Sequence, residues 1–351
     1  MEPLRRRGRS VTAVAPRCED EGVKGYDIIG DVHGCATKLE QLLDDLGYAP
    51  DETGAYRHPE RRAVFVGDLI DRGPEQLRVL EIVKPMVDSG SAQIVMGNHE
   101  FNAIAYHTEH PERSGEYLRP HNEKNQAQHQ KFLDQVTGEQ RAYYLEWFKT
   151  LPLWLDLGDL RIVHACWHEK SMKVIEQELG SNRLNALDQL VRASTKGERL
   201  YDAVEILLKG PEISLVDRGQ PPYLDKDGHR RTEARVRWWK EGATTLHALA
   251  EMGGKLRTED GAPYPELPGI EVPADERSYV YTDDVPVFYG HYWREGTPEH
   301  LLDWTAHSAC VDFSAVKGGT LVAYRWSGES HIRLDHYVPR TEDVVAQHPS
   351  A

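Results

Sequence analysis

The feature of this sequence that most constrains its fold is a repeated order of strand, polar loop and helix. Short apolar runs at residues 26–30, 63–66 and 93–96 each lead into a Gly-Asp or Gly-Asn pair, and a helical pattern follows. After the first run, leucines recur at helical spacing up to Gly47, and after the second a helix is predicted at 75–87. Three such units place three polar loops at the carboxyl ends of strands.

The rest of the chain adds elements of both types. A helical, amphipathic pattern covers residues 123–150, and the apolar spacing in 170–209 favours two or three helices. Further strands are predicted at 160–163, 236–239, 285–289, 308–313, 320–326 and 331–338. The last three alternate like antiparallel strands, with Gly318-Gly319 as a turn. A fold of the α/β class follows from this mixture.

Composition predicts one large globular domain with an insertion. The 351 residues are 39% hydrophobic and 28% charged, which is enough apolar side chain for a core. Residues 1–25 lack a periodic apolar face and are expected to form a disordered leader, and 341–351 a flexible tail. The domain is predicted at 26–340, with 170–284 as an inserted cap subdomain of helices and loops.

Charge and hydropathy exclude several classes of function. A net charge of −15 argues against non-specific binding to nucleic acid. No apolar run approaches the roughly 18 residues that a membrane span requires, so no membrane partner is expected. The four cysteines lie far apart with no CxxC pair, which favours a reducing, cytoplasmic location. The oligomeric state cannot be predicted from these features.

Five loops after predicted strands carry the chemistry. They read GDVHG at 30–34, GDLIDRG at 67–73, GNHE at 97–100, VHAC at 163–166 and YGHY at 289–292. Short carboxylate, amide and imidazole side chains on strand-end loops can converge on one point. Two cations held there supply what phosphate-ester hydrolysis requires, an acidified water and stabilisation of an anionic transition state.

The order GDxHG, GDxxDRG and GNHE resembles the phosphoprotein phosphatase branch of the calcineurin-like metallophosphoesterases. That branch also contains bacterial serine/threonine phosphatases and symmetrical diadenosine tetraphosphatases. The resemblance covers residues 26–326 without the insertion. It implies an αββα sandwich, two mixed sheets flanked by helices, with metals at the strand ends.

The resemblance also implies a ligand set for two divalent metal ions. Asp31 and His33 would bind the first ion, Asp68 would bridge both, and the second would be completed by Asn98, His164 and His291. Oxygen and nitrogen donors favour Mn²⁺, with Mg²⁺, iron or Zn²⁺ as alternatives. A lone Asp-x-His motif would instead be a turn, and a lone Asn before a helix a cap residue, but three motifs in order favour metal binding.

Catalytic roles follow from the same resemblance. His99 would protonate the leaving-group oxygen, Asp71 would orient its imidazole, and Arg72 would clamp phosphate oxygens. The implied nucleophile is water or hydroxide shared by the metals, attacking in line. The family's second phosphate-binding arginine stays unassigned among five candidates in the insertion, Arg218, Arg230, Arg231, Arg235 and Arg237.

Several residues have a functional and a structural interpretation. Trp238 and Trp239 could stack a nucleobase, but core packing is favoured. Ala165 and Cys166 follow His164 where relatives commonly carry two glycines, and for Cys166 packing is favoured over redox sensitivity. Asp312 could support the site or end a strand.

Three functions are compatible with the sequence. The first is a metal-dependent phosphomonoesterase, including a protein serine/threonine phosphatase. The second is a dinucleoside polyphosphate hydrolase of the diadenosine tetraphosphate type. The third is a catalytically silent module that binds metal and phosphate. Expected partners are therefore phosphorylated small molecules, nucleotides or phosphoproteins.

Overall fold

The computed structural model describes residues 22–225, 228–253 and 256–339. The predicted tail at 341–351 and all but the last four residues of the predicted leader lie outside this range. In the described part the strands are β1 Gly25–Ile29, β2 Ala49–Pro50, β3 Tyr56–Arg57, β4 Arg61–Phe65, β5 Ala92–Ile94, β6 Trp154–Asp156, β7 Arg161–Val163, β8 Glu212–Ser214, β9 Tyr223–Leu224, β10 Arg230–Arg231, β11 Glu233–Val236, β12 Ala250–Glu251, β13 Arg257–Thr258, β14 Val287–Tyr289, β15 Ser308–Cys310, β16 Ala323–Trp326 and β17 Tyr337–Val338. The helices are α1 Ala36–Asp45, α2 Gln76–Asp88, α3 Asn98–His107, α4 Glu123–Gln135, α5 Gly138–Lys149, α6 Glu169–Leu179, α7 Leu187–Ser194, α8 Arg199–Lys209 and α9 Leu246–Leu249.

Two mixed sheets form the centre of the fold. The first has the order β17-β16-β1-β4-β5, and the second has the order β15-β14-β7-β6. In the first sheet β1, β4 and β5 are parallel, and the register pairs Ile29 with Phe65 and Phe65 with Ile94. Because these strands end level with one another, the three polar loops that follow them emerge at one edge.

Alternate side chains of the strands enter two different apolar layers. Ile28 and Val64 point between the sheets, where they join Ile162, Phe288 and Tyr324. The neighbouring side chains on β1 and β4 face the other way and join the layer that includes α1 and α2. Burying one such side chain is worth about 1.5–3 kcal/mol, so both faces stabilise the sheet. The predicted αββα sandwich is confirmed.

One strand orientation differs from the prediction. The sequence predicts that the last three strands are antiparallel, and this holds for β16 and β17, both in the first sheet. In contrast, β15 lies in the second sheet and pairs parallel to β14, with Val287 opposite Ser308. Alternation in sequence reports which face is buried and carries no information on strand direction.

The segment predicted as an insertion contributes to two cores. The helices α6, α7 and α8 add Ile175, Leu190 and Leu207 to the main apolar layer. From β8 onward the chain builds a separate cluster that contains Ile213 and Leu246, beside the small sheets β12-β11-β8 and β10-β9-β13. No helix in the described ranges has the length and apolar character to cross a membrane.

Candidate metal centre and active site

The predicted ligands from five loops meet around Asp68. Its Oδ2 lies 3.6 Å from His33 Nε2, and its Oδ1 lies 3.5 Å from His164 Nε2. Asn98 Oδ1 lies 3.1 Å from His164 Nε2 and 2.8 Å from His291 Nδ1. All five side chains are buried. A carboxylate with imidazoles at both oxygens has the geometry that a bridge between two cations needs.

Asp31 reaches the same point through the last of the loops. Its Oδ2 accepts a hydrogen bond from the backbone N–H of His291 at 3.1 Å. Burial, with Asp312 and Asp68 nearby, raises the pKa of the Asp31 carboxyl well above its usual value. Crowded buried carboxylates of this kind are stabilised when a cation lies between them.

Buried donor atoms without partners support a cation at this place. Among the described residues, Asp31 Oδ1, His33 Nε2 and His291 Nε2 are buried and have no hydrogen-bond partner. Burial lowers the pKa of His33 to about 3, and it lowers the pKa of His291 well below its usual value, so both imidazoles are neutral. Neutral imidazoles and carboxylates are the forms that bind divalent metals, so the residues fit a two-metal centre.

Among the described histidines, cysteines, aspartates and glutamates, two groups of three have ligand atoms that all lie within 4.8 Å of one another. One is His33, Asp68 and His99, and the other is Asp68, His164 and His291. The second group agrees with the ligand set implied by the sequence. The first contains His99 where the sequence implied Asp31, which instead lies against the His291 amide.

The backbone at the site is strained. Positive φ values, between 44° and 71°, occur at His33, Asp68, Asp71, Arg72, His291 and Trp293. Each such non-glycine residue costs about 1–3 kcal/mol, and surrounding contacts must offset that cost. These backbone conformations direct side chains from adjacent loops toward one point.

Two glycines and one glutamate hold the second and third loops together. A Cβ on Gly67 would lie 2.5 Å from the backbone nitrogen of Gly97, so only glycine permits this approach. Glu100 Oε2 accepts N–H hydrogen bonds from Asp68 and Gly97, and its Oε1 accepts one from Leu69. The GNHE motif thus provides both Asn98 and the carboxylate that fixes the Asp68 loop.

His99 and Asp71 form a buried pair beside the ligands. His99 Nδ1 lies 2.5 Å from Asp71 Oδ2. Burial raises the pKa of Asp71, but hydrogen bonds from His129 and His99 outweigh it and lower the pKa to about 2. Arg72 Nη2 donates to His99 Nε2 at 3.3 Å. The three residues predicted to be catalytic therefore contact one another.

Sequence reasoning missed His129, which binds the same carboxylate. Its Nδ1 lies 2.7 Å from Asp71 Oδ1, and the side chain is buried on α4. A single histidine within an amphipathic helix carries no motif, and only its position three residues before Phe132 and seven before Val136, on the apolar stripe, suggests burial. Its partner is 58 residues away, so the contact is purely tertiary.

The structure separates the five candidate arginines. Four form ion pairs with carboxylates, Arg218 with Glu276, Arg230 with Glu259, Arg231 with Asp225 and Arg237 with Glu251. The fifth, Arg235, lies at the site: its Nη1 is 3.5 Å from the carbonyl oxygen of His291 and its guanidinium lies over the Tyr292 ring. Of the five candidates, Arg235 is thus the one that lies beside His291.

The residues with two interpretations are also resolved. Trp238 and Trp239 are fully buried against Tyr289, which agrees with core packing and leaves no face for a nucleobase. Cys166 is a buried free thiol, and burial raises its pKa well above its usual value, which suits packing. Asp312 supports the site, since its carboxylate accepts N–H hydrogen bonds from Trp293 and Ser314.

Comparison with known proteins agrees with this geometry. The family model of the calcineurin-like phosphoesterases matches residues 26–257. The chain therefore belongs to the calcineurin-like phosphoesterase family.

Two curated relatives share the name bis(5'-nucleosyl)-tetraphosphatase PrpE [asymmetrical]. The protein from Halalkalibacterium halodurans is 52% identical over 75 residues, which cover 21% of this chain and 30% of the relative. The one from Anoxybacillus flavithermus is 32% identical over 254 residues, covering 71% of this chain and 94% of the relative. The chain spans 30% of the length of the Halalkalibacterium relative and 54% of the length of a relative of the same name from Oceanobacillus iheyensis.

Among solved structures, a protein serine/threonine phosphatase from Saccharomyces cerevisiae is similar to this chain. Its sequence identity is 13%, its TM-score is 0.44, and the match covers 88% of this chain and 74% of the other.

Proposed function

We propose that this chain is a two-metal phosphoesterase that hydrolyses dinucleoside polyphosphates asymmetrically. The observation that carries the chemistry is the Asp68-centred site, in which all six predicted ligands are joined by contacts of 3.6 Å or less. The substrate class is supported by the name of the Anoxybacillus relative, which aligns over 94% of its length. Asymmetrical cleavage of a tetraphosphate yields a nucleoside monophosphate and a nucleoside triphosphate.

The proposed ligand set is Asp31, His33, Asp68, Asn98, His164 and His291. Two divalent cations held there would withdraw charge from the phosphate and lower the pKa of water. The oxygen and imidazole donors support Mn²⁺ as the native ion. The described cysteines Cys35, Cys166 and Cys310 are free thiols, which supports the proposal of a cytoplasmic location.

The remaining residues bind phosphate and move one proton. Arg72 donates to His99 Nε2, so that nitrogen is an acceptor. When the Arg72 guanidinium turns to phosphate oxygens, His99 Nε2 loses that donor and keeps the Gln128 amide nitrogen at 3.4 Å. His99 Nε2 can then carry a proton and donate it to the leaving oxygen. Asp71 holds the imidazole by its Nδ1, and Arg235 approaches the phosphate from the side of His291.

Product analysis tests this proposal. The chain, with Mn²⁺, is incubated with diadenosine tetraphosphate in ¹⁸O-labelled water, and nucleotides are separated and weighed by mass spectrometry. We expect AMP and ATP in equal amounts, with one labelled oxygen in one of the two, and no turnover with chelator. Two molecules of ADP would contradict asymmetrical cleavage, and no cleavage at all would contradict the substrate class.

A second candidate function is hydrolysis of phosphate monoesters, including phosphoserine and phosphothreonine in proteins. It is favoured by the three motifs in residues 30–34, 67–73 and 97–100, which resemble the phosphoprotein phosphatase branch. Turnover of 4-nitrophenyl phosphate or a phosphopeptide, without cleavage of the tetraphosphate, would select it. A silent binding module is disfavoured, because it would not need the 2.5 Å contact between His99 and Asp71.

A further inference from the structure

One indole beside the metal centre contacts two cationic side chains. The Trp293 ring lies 4.1 Å from Arg72 Cζ and 3.7 Å from Lys317 Nζ, measured to the ring centroid. The same ring lies 5.6 Å from the imidazole of His33, one of the proposed ligands. Trp293 is partly exposed and Lys317 is exposed, so this group, Arg72–Trp293–Lys317, lies at the mouth of the site.

The backbone positions of Trp293 and Lys317 depend on one carboxylate. Asp312 accepts hydrogen bonds from the N–H groups of Trp293, at 2.8 Å, and of Ser314, at 3.0 Å. Ser314 begins the turn that carries Lys317, because its carbonyl accepts the N–H of Lys317 at 2.9 Å. The lysine and the indole are therefore presented together.

A second lysine fixes the far side of that turn. Lys38 Nζ donates to the carbonyl oxygens of Ala315 and Gly319, at 2.7 Å each. A Cβ on Gly319 would lie 2.0 Å from the carbonyl oxygen of Phe313, so the turn closes tightly on itself. The backbone that carries Lys317 is therefore held at both ends, and its exposed side chain lies over the Trp293 ring.

The charges of this group suit an anion with several phosphates. Arg72 and Lys317 contact the same ring and lie no more than about 8 Å apart, so their positive charges repel each other. A single phosphate at the metal centre would meet Arg72, which also contacts His99. A longer phosphate chain that leaves the centre past Trp293 would bring negative charge to Lys317 as well, and it would offset the repulsion.

We propose that Trp293 and Lys317, next to Arg72, form a second phosphate subsite for the phosphates that adjoin the reacting one. The subsite takes a linear polyphosphate or the polyphosphate portion of a nucleotide. It rests on the proposed function only in locating the reacting phosphate at the metals. Both cations lie against the indole, and Lys317 binds an oxygen of the outer phosphate.

Competition by two inorganic anions tests this subsite. Orthophosphate occupies one phosphate position, whereas tripolyphosphate extends beyond it. Their inhibition constants are measured against 4-nitrophenyl phosphate at constant free Mn²⁺ for the wild type, Lys317→Gln and a matched control, Lys196→Gln. Lys196 is also an exposed lysine, in the connection between α7 and α8. Calorimetric titration with both anions gives the same comparison independently of turnover.

For Lys317→Gln we expect the constant for tripolyphosphate to rise about fivefold to tenfold, and that for orthophosphate to change less than about twofold. The control should match the wild type with both anions. Equal changes for the two anions, or no change for tripolyphosphate, would overturn the subsite. These outcomes do not depend on whether diadenosine tetraphosphate is a substrate, so they are distinct from failure of the proposed function.

Discussion

His129 on α4 donates its Nδ1–H to Asp71 Oδ1 at 2.7 Å, while the other oxygen of that carboxylate receives His99 at 2.5 Å. Asp71 is thus held by two histidines from different helices. The hydrogen bond from His129 to one oxygen restricts rotation of the Asp71 carboxylate. His129 therefore sets the orientation of Asp71 and, through it, that of the His99 imidazole.

Two substitutions at His129 distinguish a role in orienting Asp71 from a role in packing, because the two roles predict opposite orders of kcat for the two variants. His129→Phe suits the surrounding rings of Tyr106 and Phe132 but cannot donate a hydrogen bond, whereas His129→Asn keeps an N–H donor near the position of Nδ1. If orientation of Asp71 matters, kcat for an alkyl phosphate should fall about tenfold or more in the Phe variant and less in the Asn variant. The reverse order, with thermal stability following the same rank, would mean that His129 only packs.

Removal of His99 should depend on the leaving group. A poor alkoxide leaving group needs a proton and an activated aryl oxide does not, so His99→Ala should lower kcat by about 10² or more for alkyl esters and far less for 4-nitrophenyl phosphate. The measurement is kcat across a series of leaving groups, with Asp71→Asn as a second variant that should give the same trend more weakly. Equal losses across the series would contradict the role of His99 as general acid.

Asp68 should control metal binding and the stability that metal provides. At a Mn²⁺ concentration about 100 times the Kd, the Tm of the wild type should rise by about 5 °C, because the ion binds only the folded chain. Asp68→Asn removes the negative charge that both cations would share. We expect this variant to bind less than about half of the metal that the wild type binds and to show no rise in Tm. Asp217→Asn, at an exposed aspartate, is the control. Full metal content in the Asp68 variant, read by elemental analysis, would contradict the bridging role.

The two arginines should contribute to phosphate binding where a matched arginine does not. Arg235→Lys and Arg72→Lys each lose a planar, two-pronged donor, so the inhibition constant of orthophosphate should rise about tenfold. Arg230→Lys is the control, since that exposed residue pairs with Glu259. An unchanged constant for the Arg235 variant would show that this arginine serves the fold of the insertion and not the site.

Acid should destabilise the metal-free chain partly through His107. Burial, together with the nearby His129, lowers the pKa of His107 from 6.5 to about 4, so His107 is protonated at a lower pH in the folded chain than in the unfolded chain. The part of the free energy of unfolding that depends on neutral His107 is fully present above pH 6.5, and it is lost as the pH falls from 6.5 towards 4. We expect the free energy of unfolding, measured by urea titration with chelator, to fall between pH 7 and 5 in both proteins. The decrease should be about 1 kcal/mol smaller in His107→Phe than in the wild type, after allowance for partial exposure. The exposed His247→Gln should behave like the wild type, and a slope in His107→Phe equal to that of the wild type would contradict the assignment.

The amino-acid sequence was sufficient to predict the sheet edge and most of the residues that meet there. Asp31, Asp68 and Asn98 directly follow strand-forming runs, so their places were predictable once those runs were identified as parallel strands. Local patterns could not show that β15 would pair parallel to β14, because direction depends on how the connecting chain crosses the sheet.

Sequence alone therefore determined which loops carry the proposed ligands, since that information lies within a few residues of each strand end. Tertiary structure decided the rest: that Arg235 and not Arg237 faces His291, that His129 meets Asp71, and that Trp238 is enclosed in the core. Each of these contacts joins residues far apart in the chain. Such contacts are set by the packing of whole elements, which no local spacing of residues encodes.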